Sequence, residues 1–208
     1  YSNNRSLSTG NPNLRPEFTH SVEGSHLFNW SSGSLLSSIY YRCRRGVIEE
    51  ITLVDSIGFS RQFPINLSRE AAFGFEFNLS WSPGPWFRST SNYNFYRVSS
   101  EGVYEDQTFA RKALTWTNRT ILQFTVGKKW DIQGTFNYQA PQNTAQGRRL
   151  SLHSTDLALS RDLMKGNATL AISVRDLFNT RRFRREITGV ELNSYSEFQG
   201  RRRQLMLS

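Results

Sequence analysis

The clearest pattern in this sequence is AAFGFEFNLSWSPGP, which runs from Ala71 to Pro85. From Phe73 to Trp81 every second residue is apolar. The residues between them are Gly74, Glu76, Asn78 and Ser80. Because side chains alternate across a β-strand, the segment predicts a strand with one apolar face and one polar face. The apolar stripe ends in tryptophan directly before a Ser-Pro-Gly-Pro turn. This is typical of a strand that crosses a bilayer and places an aromatic ring where hydrocarbon meets water.

The same alternation recurs along the chain and predicts about nine antiparallel strands. A second clear example runs from Trp130 to Tyr138. The predicted strands lie at 17–30, 34–52, 71–81, 86–98, 114–126, 130–138, 148–163, 168–175 and 201–208. Short turns are predicted at 31–33, 82–85, 127–128 and 164–167, and longer polar connections at 53–68, 99–106, 141–146 and 176–200.

Four of the five tryptophans flank the predicted short turns and should therefore lie along one rim. These predicted membrane-interface aromatics are Trp30, Trp81, Trp86 and Trp130. Short turns on one side, long loops on the other and an aromatic girdle describe an antiparallel transmembrane β-barrel. A soluble β-sandwich also alternates, but it would not collect its tryptophans at one edge. Its strands also have a usual length of roughly 5–6 residues, whereas these exceed the roughly 9–11 that span a bilayer.

The composition agrees with strands that have one apolar face and one polar, hydrated face. Hydrophobic residues make up 37% of the chain and aromatic residues 13%, which disfavours a thick globular core. No apolar run approaches the roughly 18 residues that a membrane helix needs. The N-terminal segment YSNNRSLSTG has neither a basic nor an apolar region of a signal peptide. Since an exported barrel needs one, we expect the true start of the protein to lie upstream.

The net charge of +9 comes mostly from arginine. Arginines are scattered over strands and loops, and the two tight runs, 181–185 and 201–203, lie far apart in sequence. A nucleic-acid footprint would be a clustered basic face. We therefore expect no nucleic-acid partner, and we interpret the arginines as a solvated face or as contacts to lipid phosphates.

No group of residues predicts catalysis, a cofactor or a metal site, and we expect the protein not to be an enzyme. Ser151 and His153 share a strand face while Asp156 points the other way, which does not suit a triad. Cys43 is the only cysteine, so neither a disulfide nor a thiolate metal cluster is expected. His20 and His26 have no neighbours at metal-ligand spacing and are interpreted as interfacial.

Polar residues opposite the apolar stripes form the candidate site. The candidate lumen-facing residues are Glu76, Asn78, Arg119, Asp131, Gln133, Asn137 and Arg175. In a barrel they would either pack against an internal plug through hydrogen bonds and ion pairs or line the path of a small solute.

Four motifs in order resemble a known family. They are GNPNLRPE at 10–17, AAFGFEFNLSWSP at 71–83, SVRDLFNTRRFR at 173–184 and GRRRQLMLS at 200–208. Together they are similar to the C-terminal part of TonB-dependent outer-membrane receptors, and most of all to the Bacteroidetes-type outer-membrane β-barrel family. In that family the third motif resembles the penultimate strand, called DLFNT, and the fourth the start of the closing strand.

The resemblance implies a barrel of about 22 strands around an N-terminal plug in the outer membrane of Gram-negative bacteria. The plug gates the pore and contacts TonB. This chain has no plug and no terminal aromatic residue after Leu207-Ser208. Single-chain bacterial barrels have even strand numbers, and unpaired edges are not tolerated in hydrocarbon. We therefore expect residues 1–208 to be a single C-terminal barrel segment whose plug and first strands are missing, and its open edges to pair with another copy when it is expressed alone.

Two function hypotheses follow. In the first, the chain is the barrel wall of a TonB-dependent receptor that imports a siderophore-, glycan- or peptide-type solute, with outer-membrane lipid, TonB and the solute as partners. In the second, it is a binding or structural module without a transport role, either a soluble β-sandwich or a plain outer-membrane barrel.

Overall fold

The computed structural model describes residues 6–54, 59–104, 107–127, 130–144, 147–163, 168–188 and 193–207. Their strands are β1 Ser6–Ser8, β2 Phe18–Trp30, β3 Gly33–Val54, β4 Ser60–Gly84, β5 Phe87–Tyr104, β6 Gln107–Val126, β7 Trp130–Gln139, β8 Gln142–Thr144, β9 Gly147–Arg149, β10 Leu152–Leu163, β11 Ala168–Arg175, β12 Phe183–Thr188, β13 Asn193–Phe198 and β14 Gln204–Leu207. Within these ranges no helix is long and apolar enough to cross a membrane. The predicted turn at 164–167 and half of that at 127–128 lie outside the described residues.

Nine strands form one antiparallel meander, as the alternation predicts. The sheet order is β14-β11-β10-β7-β6-β5-β4-β3-β2, and β1 adds a short parallel pairing to β4. Each of the nine strands pairs with its neighbour in the predicted series. Among the described residues β2 and β14 are the two outer strands of this meander, and the sheet is not closed. The prediction of an all-β fold built from antiparallel strands is confirmed.

Two predicted connections are wrong because the central strands continue through them. β3 and β4 stay paired as far as Val54 and Ser60, through much of the predicted 53–68 loop. β5 and β6 stay paired as far as Tyr104 and Gln107, so β5 continues through most of the predicted 99–106 connection. Register shifts flank Val47, next to Gly46 with φ +67°. These bulges move the inward positions from even to odd numbers, so the two-residue period is interrupted there.

A second, smaller sheet occupies regions predicted as loops. Its order is β13-β12-β9-β8, and it takes up parts of the predicted 141–146 and 176–200 connections. The predicted strand 148–163 is in fact divided between β9 and β10. These strands are only three to six residues long and mostly polar, so they carry no sustained apolar alternation that could reveal them. β5 also begins at Phe87 rather than at Trp86, which lies in the turn.

The burial of the large sheet is the reverse of that in a soluble domain. Large apolar side chains are exposed on one face, for example Leu114 at 81% and Phe28 at 57%. Buried residues on the other face include Ser38, Tyr40, Glu70, Ser100, Thr115, Thr135 and Ser154. In the described residues an apolar core cluster of Ile51, Phe63 and Ile65, with Leu53 and Tyr104 packed against it, lies beyond the bulges. The polar face is therefore the enclosed one.

Candidate functional site

The apolar face is continuous from strand to strand because the register aligns the stripes. Phe28 lies opposite Leu35, which lies opposite Leu79. At the other side of the sheet, Leu159 lies opposite both Ile132 and Ile172. Exposed apolar residues of this face are Phe18, Val22, Ile39, Tyr41, Phe73, Phe75, Phe95, Leu122, Phe124, Phe136, Leu157, Leu170, Leu205 and Leu207. A patch of this extent needs an apolar environment.

The four predicted interface tryptophans lie at the edge of the sheet where the short turns are. Trp30 ends β2, opposite Gly33, and its indole Nε1 donates to the Ser32 hydroxyl at 2.9 Å. Trp81 packs edge-on against Phe87, with ring centroids 5.5 Å apart. The other two are Trp86, in the turn before β5, and Trp130, at the start of β7. Their position at a membrane interface stays a prediction.

All seven candidate polar residues lie on the face opposite the apolar stripes. Those on β4 form one hydrogen-bonded group, in which the Glu76 carboxylate accepts from Asn78 at 3.1 Å and from Asn92 at 2.9 Å. Elsewhere, Gln123 donates to Gln133 at 3.0 Å, and the Thr125 hydroxyl donates to Asp131 at 2.7 Å. The role of these residues stays a prediction.

An open groove of about 690 Å³ brings four of the seven together. Arg119, Gln133, Asn137 and Arg175 line it, while Glu76, Asn78 and Asp131 do not. A second groove of about 550 Å³ is lined by Arg175, Arg181, Arg201, Arg202, Asp156 and Asp176. The two arginine runs that are far apart in sequence therefore meet at one groove.

A charge network in the polar face was missed by the sequence reasoning. Glu70 is the centre, with its side chain only 7% exposed, and it forms ion pairs with both Arg44 and Arg111. Arg44 also reaches Glu17 at 3.6 Å, and Arg111 reaches Glu49 at 3.7 Å. Glu70 has the same parity as the polar residues of 71–81, so extending that strand by one residue would have placed it on the polar face.

The DLFNT motif forms a corner after β11 rather than a strand, which corrects the strand assignment. Asp176, at φ +50° and buried, accepts from the amides of Thr180 at 2.9 Å and Arg181 at 3.0 Å. Asn179 also has a positive φ, of +56°. Its side-chain oxygen accepts a hydrogen bond from the Gln199 side chain at 2.8 Å. The motif thus fixes where the chain leaves the large sheet for β12.

The described residues show no arrangement for catalysis or metal binding. His153 and Asp156 lie on opposite faces of β10, and the Asp156 carboxylate accepts the amide of Asp176 at 2.8 Å. No group of three or more acidic, histidine or cysteine residues is placed to hold a metal ion in the described ranges. On β13, Tyr195 donates to Glu197 at 3.0 Å, which raises the pKa of that tyrosine.

A family comparison gives the environment of the apolar face. The family model described as outer membrane protein beta-barrel family matches residues 1–208. The chain belongs to this family. As a family member it is located in the bacterial outer membrane, where lipid covers the apolar face and the nine-strand sheet is part of a barrel wall. Membership also decides against a soluble sandwich. Comparisons with curated proteins and with solved structures found no match.

Proposed function

We propose that this outer-membrane barrel wall belongs to a TonB-dependent receptor that imports a siderophore-, glycan- or peptide-type solute. The four family-like motifs support this assignment. So does the length of the central strands, since β3 and β4 span 22 and 25 residues. They extend well past the roughly 9–11 residues that cross a bilayer, as in a barrel with a large extracellular part.

The observation that carries the proposal is the pair of polar grooves on the enclosed face. Their volumes fall within the roughly 300–1,000 Å³ of known ligand sites. Arginines outnumber acids around the second groove, and both of its aspartates are already engaged with backbone amides. The guanidinium groups there form no ion pair with the described residues, and they suit contacts to the carboxylate, phosphate or hydroxyl groups of a solute.

The first test is the size and energy dependence of the native protein. We expect an antibody against this segment to detect, in the outer-membrane fraction, a band several times larger than 24.0 kDa. Cells should also lose uptake of the solute when either this gene or TonB is deleted. A band near 24 kDa, or uptake that does not depend on TonB, would contradict the receptor assignment.

A plain outer-membrane barrel without transport is the second candidate. One observation favours it, because much of the polar face is satisfied by its own hydrogen bonds, such as those of Glu76 with Asn78 and Asn92. If this candidate is correct, Arg119→Gln and Arg175→Gln leave uptake and growth unchanged. If the receptor assignment is correct, they weaken solute uptake while the amount of folded protein is unchanged.

A further inference from the structure

Four basic side chains lie on the outward, apolar face at its border away from the short turns. They are Arg45 on β3, Arg69 on β4, Arg97 on β5 and Lys112 on β6, and each is exposed. Register places them on the same face as the apolar stripes, since Arg97 lies between Phe73 and Leu114. We refer to these four residues as the basic border patch.

The four cations of the basic border patch form no ion pair with the residues that the structure describes. Arg45 and Arg69 lie directly opposite each other, and like charges at this spacing repel unless an anion lies between them. Glu101 is the cross-strand neighbour of Arg69 on its other side. Neither it nor any other carboxylate in the described ranges forms an ion pair with the four residues.

Short side chains leave room on the sheet beside these cations. The row between the arginine pair and the aromatic band runs Cys43–Ala71–Ser99–Lys112, and each of these residues is opposite the next. A headgroup lying over the first three would face Arg45 and Arg69 on one side and Lys112 at its end. The geometry is that of a shallow site for a compact anion.

Along the membrane normal, the basic border patch lies at the level of the lipid headgroups. From Phe73 to Trp81 the outward residues of β4 are uniformly apolar, a distance of about 26 Å along a strand at ~3.3 Å per residue. With the usual tilt of roughly 40°, this gives about 20 Å, close to the ~25 Å apolar band of outer-membrane barrels. The patch therefore lies at the opposite interface from the tryptophan rim.

At the short-turn border the described residues include one outward cation, Arg161, which lies over the Trp130 ring at 4.8 Å. Lys128, Lys129 and Lys165 of the short turns lie outside the described residues. Short turns of outer-membrane barrels face the periplasm and long loops face outward, so the basic border patch faces the outer leaflet. Clustered Lys and Arg at a membrane surface attract anionic lipid.

From these observations we infer that the basic border patch is a binding site for the phosphate groups of an anionic lipid in the outer leaflet. The inference rests on the outer-membrane location and is independent of the transport proposal. In it, Arg45 and Arg69 share one phosphate, while Arg97 and Lys112 hold the headgroup from the side. Phosphate suits guanidinium groups because of its charge and its bidentate geometry.

The test uses the full polypeptide that carries this chain, purified from outer membranes in detergent. Binding of lipid A micelles is compared with binding of dephosphorylated lipid A for the wild type, for R45Q/R69Q/R97Q/K112Q and for the control R161Q at the opposite border. We expect the quadruple variant to bind lipid A about tenfold more weakly or worse, and the control to bind like the wild type. Added salt should weaken only the phosphate-dependent part.

Two further measurements keep the test decisive. Heat-modifiable migration on gels reports barrel folding for each variant, and R45K/R69K/R97K/K112R, which keeps the charges, should retain most of the binding. Equal binding of lipid A by the wild type and the quadruple variant would overturn the inference, as would equal binding of phosphorylated and dephosphorylated lipid. If inorganic phosphate alone displaces the lipid at equal concentration, the site is one for free anions and the lipid assignment is wrong.

Discussion

At the scale of single residues, Glu70 is the position where one substitution should cost most. Its buried carboxylate compensates both Arg44 and Arg111, and removing one member of a buried ion network leaves uncompensated charge. We expect Glu70→Gln to lower the free energy of unfolding by about 3 kcal/mol, measured as guanidinium unfolding of the full polypeptide in detergent. The matched control is Glu197→Gln, whose partner Arg182 has a side chain 46% exposed. An exposed pair contributes only about 0–1 kcal/mol, and equal effects of the two substitutions would contradict the network.

Asp176 offers a second test at the residue scale, since its side chain and its backbone act separately. Its carboxylate accepts the amides of Thr180 and Arg181, and its φ of +50° disfavours most side chains. Asp176→Ala removes both hydrogen-bond acceptors, and alanine adopts a positive φ less readily than aspartate. We therefore expect the free energy of unfolding to fall by about 2 kcal/mol. Asp176→Gly keeps the backbone conformation accessible and should lose less. If the glycine variant is as unstable as the alanine variant, the positive φ at residue 176 does not contribute to the loss of stability.

At the scale of the strands, a glycine on the inward face has less space for a side chain than a glycine on the outward face. A Cβ at Gly74 of β4 would lie 2.5 Å from the Tyr40 ring, whose hydroxyl donates to Asn94 at 3.0 Å. A Cβ at Gly134 of β7 would meet nothing within 4 Å. We expect Gly74→Ala to displace the tyrosine and destabilise the barrel by about 1–3 kcal/mol, and Gly134→Ala to be neutral. Thermal loss of heat-modifiable migration measures both, and equal midpoints would contradict the close packing at Gly74.

The strands also show which parts of the fold a sequence can predict. Membrane-facing segments such as 73–81 are readable because one face must be apolar, so the period of two is visible. Beyond Gly46 the bulges change the parity, and the apolar residues Ile51, Phe63 and Ile65 lie on the inward face, so a strand pattern continued from 34–45 assigns them to the wrong side. The polar residues of β4 and β7 could be placed by parity, whereas the partners of Glu70 come from strands 26 and 41 residues away. Only the register of the folded sheet brings them together.

At the scale of the whole molecule, the outer strands of the meander determine how residues 1–208 behave when produced alone. In the described ranges β2 pairs with β3 and β14 pairs with β11, and their other edges present unpaired backbone groups. Such edges template pairing with further chains, and the exposed apolar face adds a second reason to associate. We expect this segment to aggregate in buffer and to form dimers or larger species when refolded in detergent. Light scattering and crosslinking in both conditions check this.

The control for this expectation separates the two causes of association. Detergent covers the apolar face but does not pair backbone groups, so an association that persists in detergent reports the strand edges. Ser21 lies at a non-hydrogen-bonded position of the β2–β3 pairing, so its backbone N–H points to the free edge. Ser21→Pro cannot donate to an added strand and should reduce that association. The same substitution should leave aggregation in buffer nearly unchanged, because the apolar face is intact. A detergent-free monomer of uniform size would contradict both causes, and would mean that the sheet buries its apolar face and closes its edges within one chain.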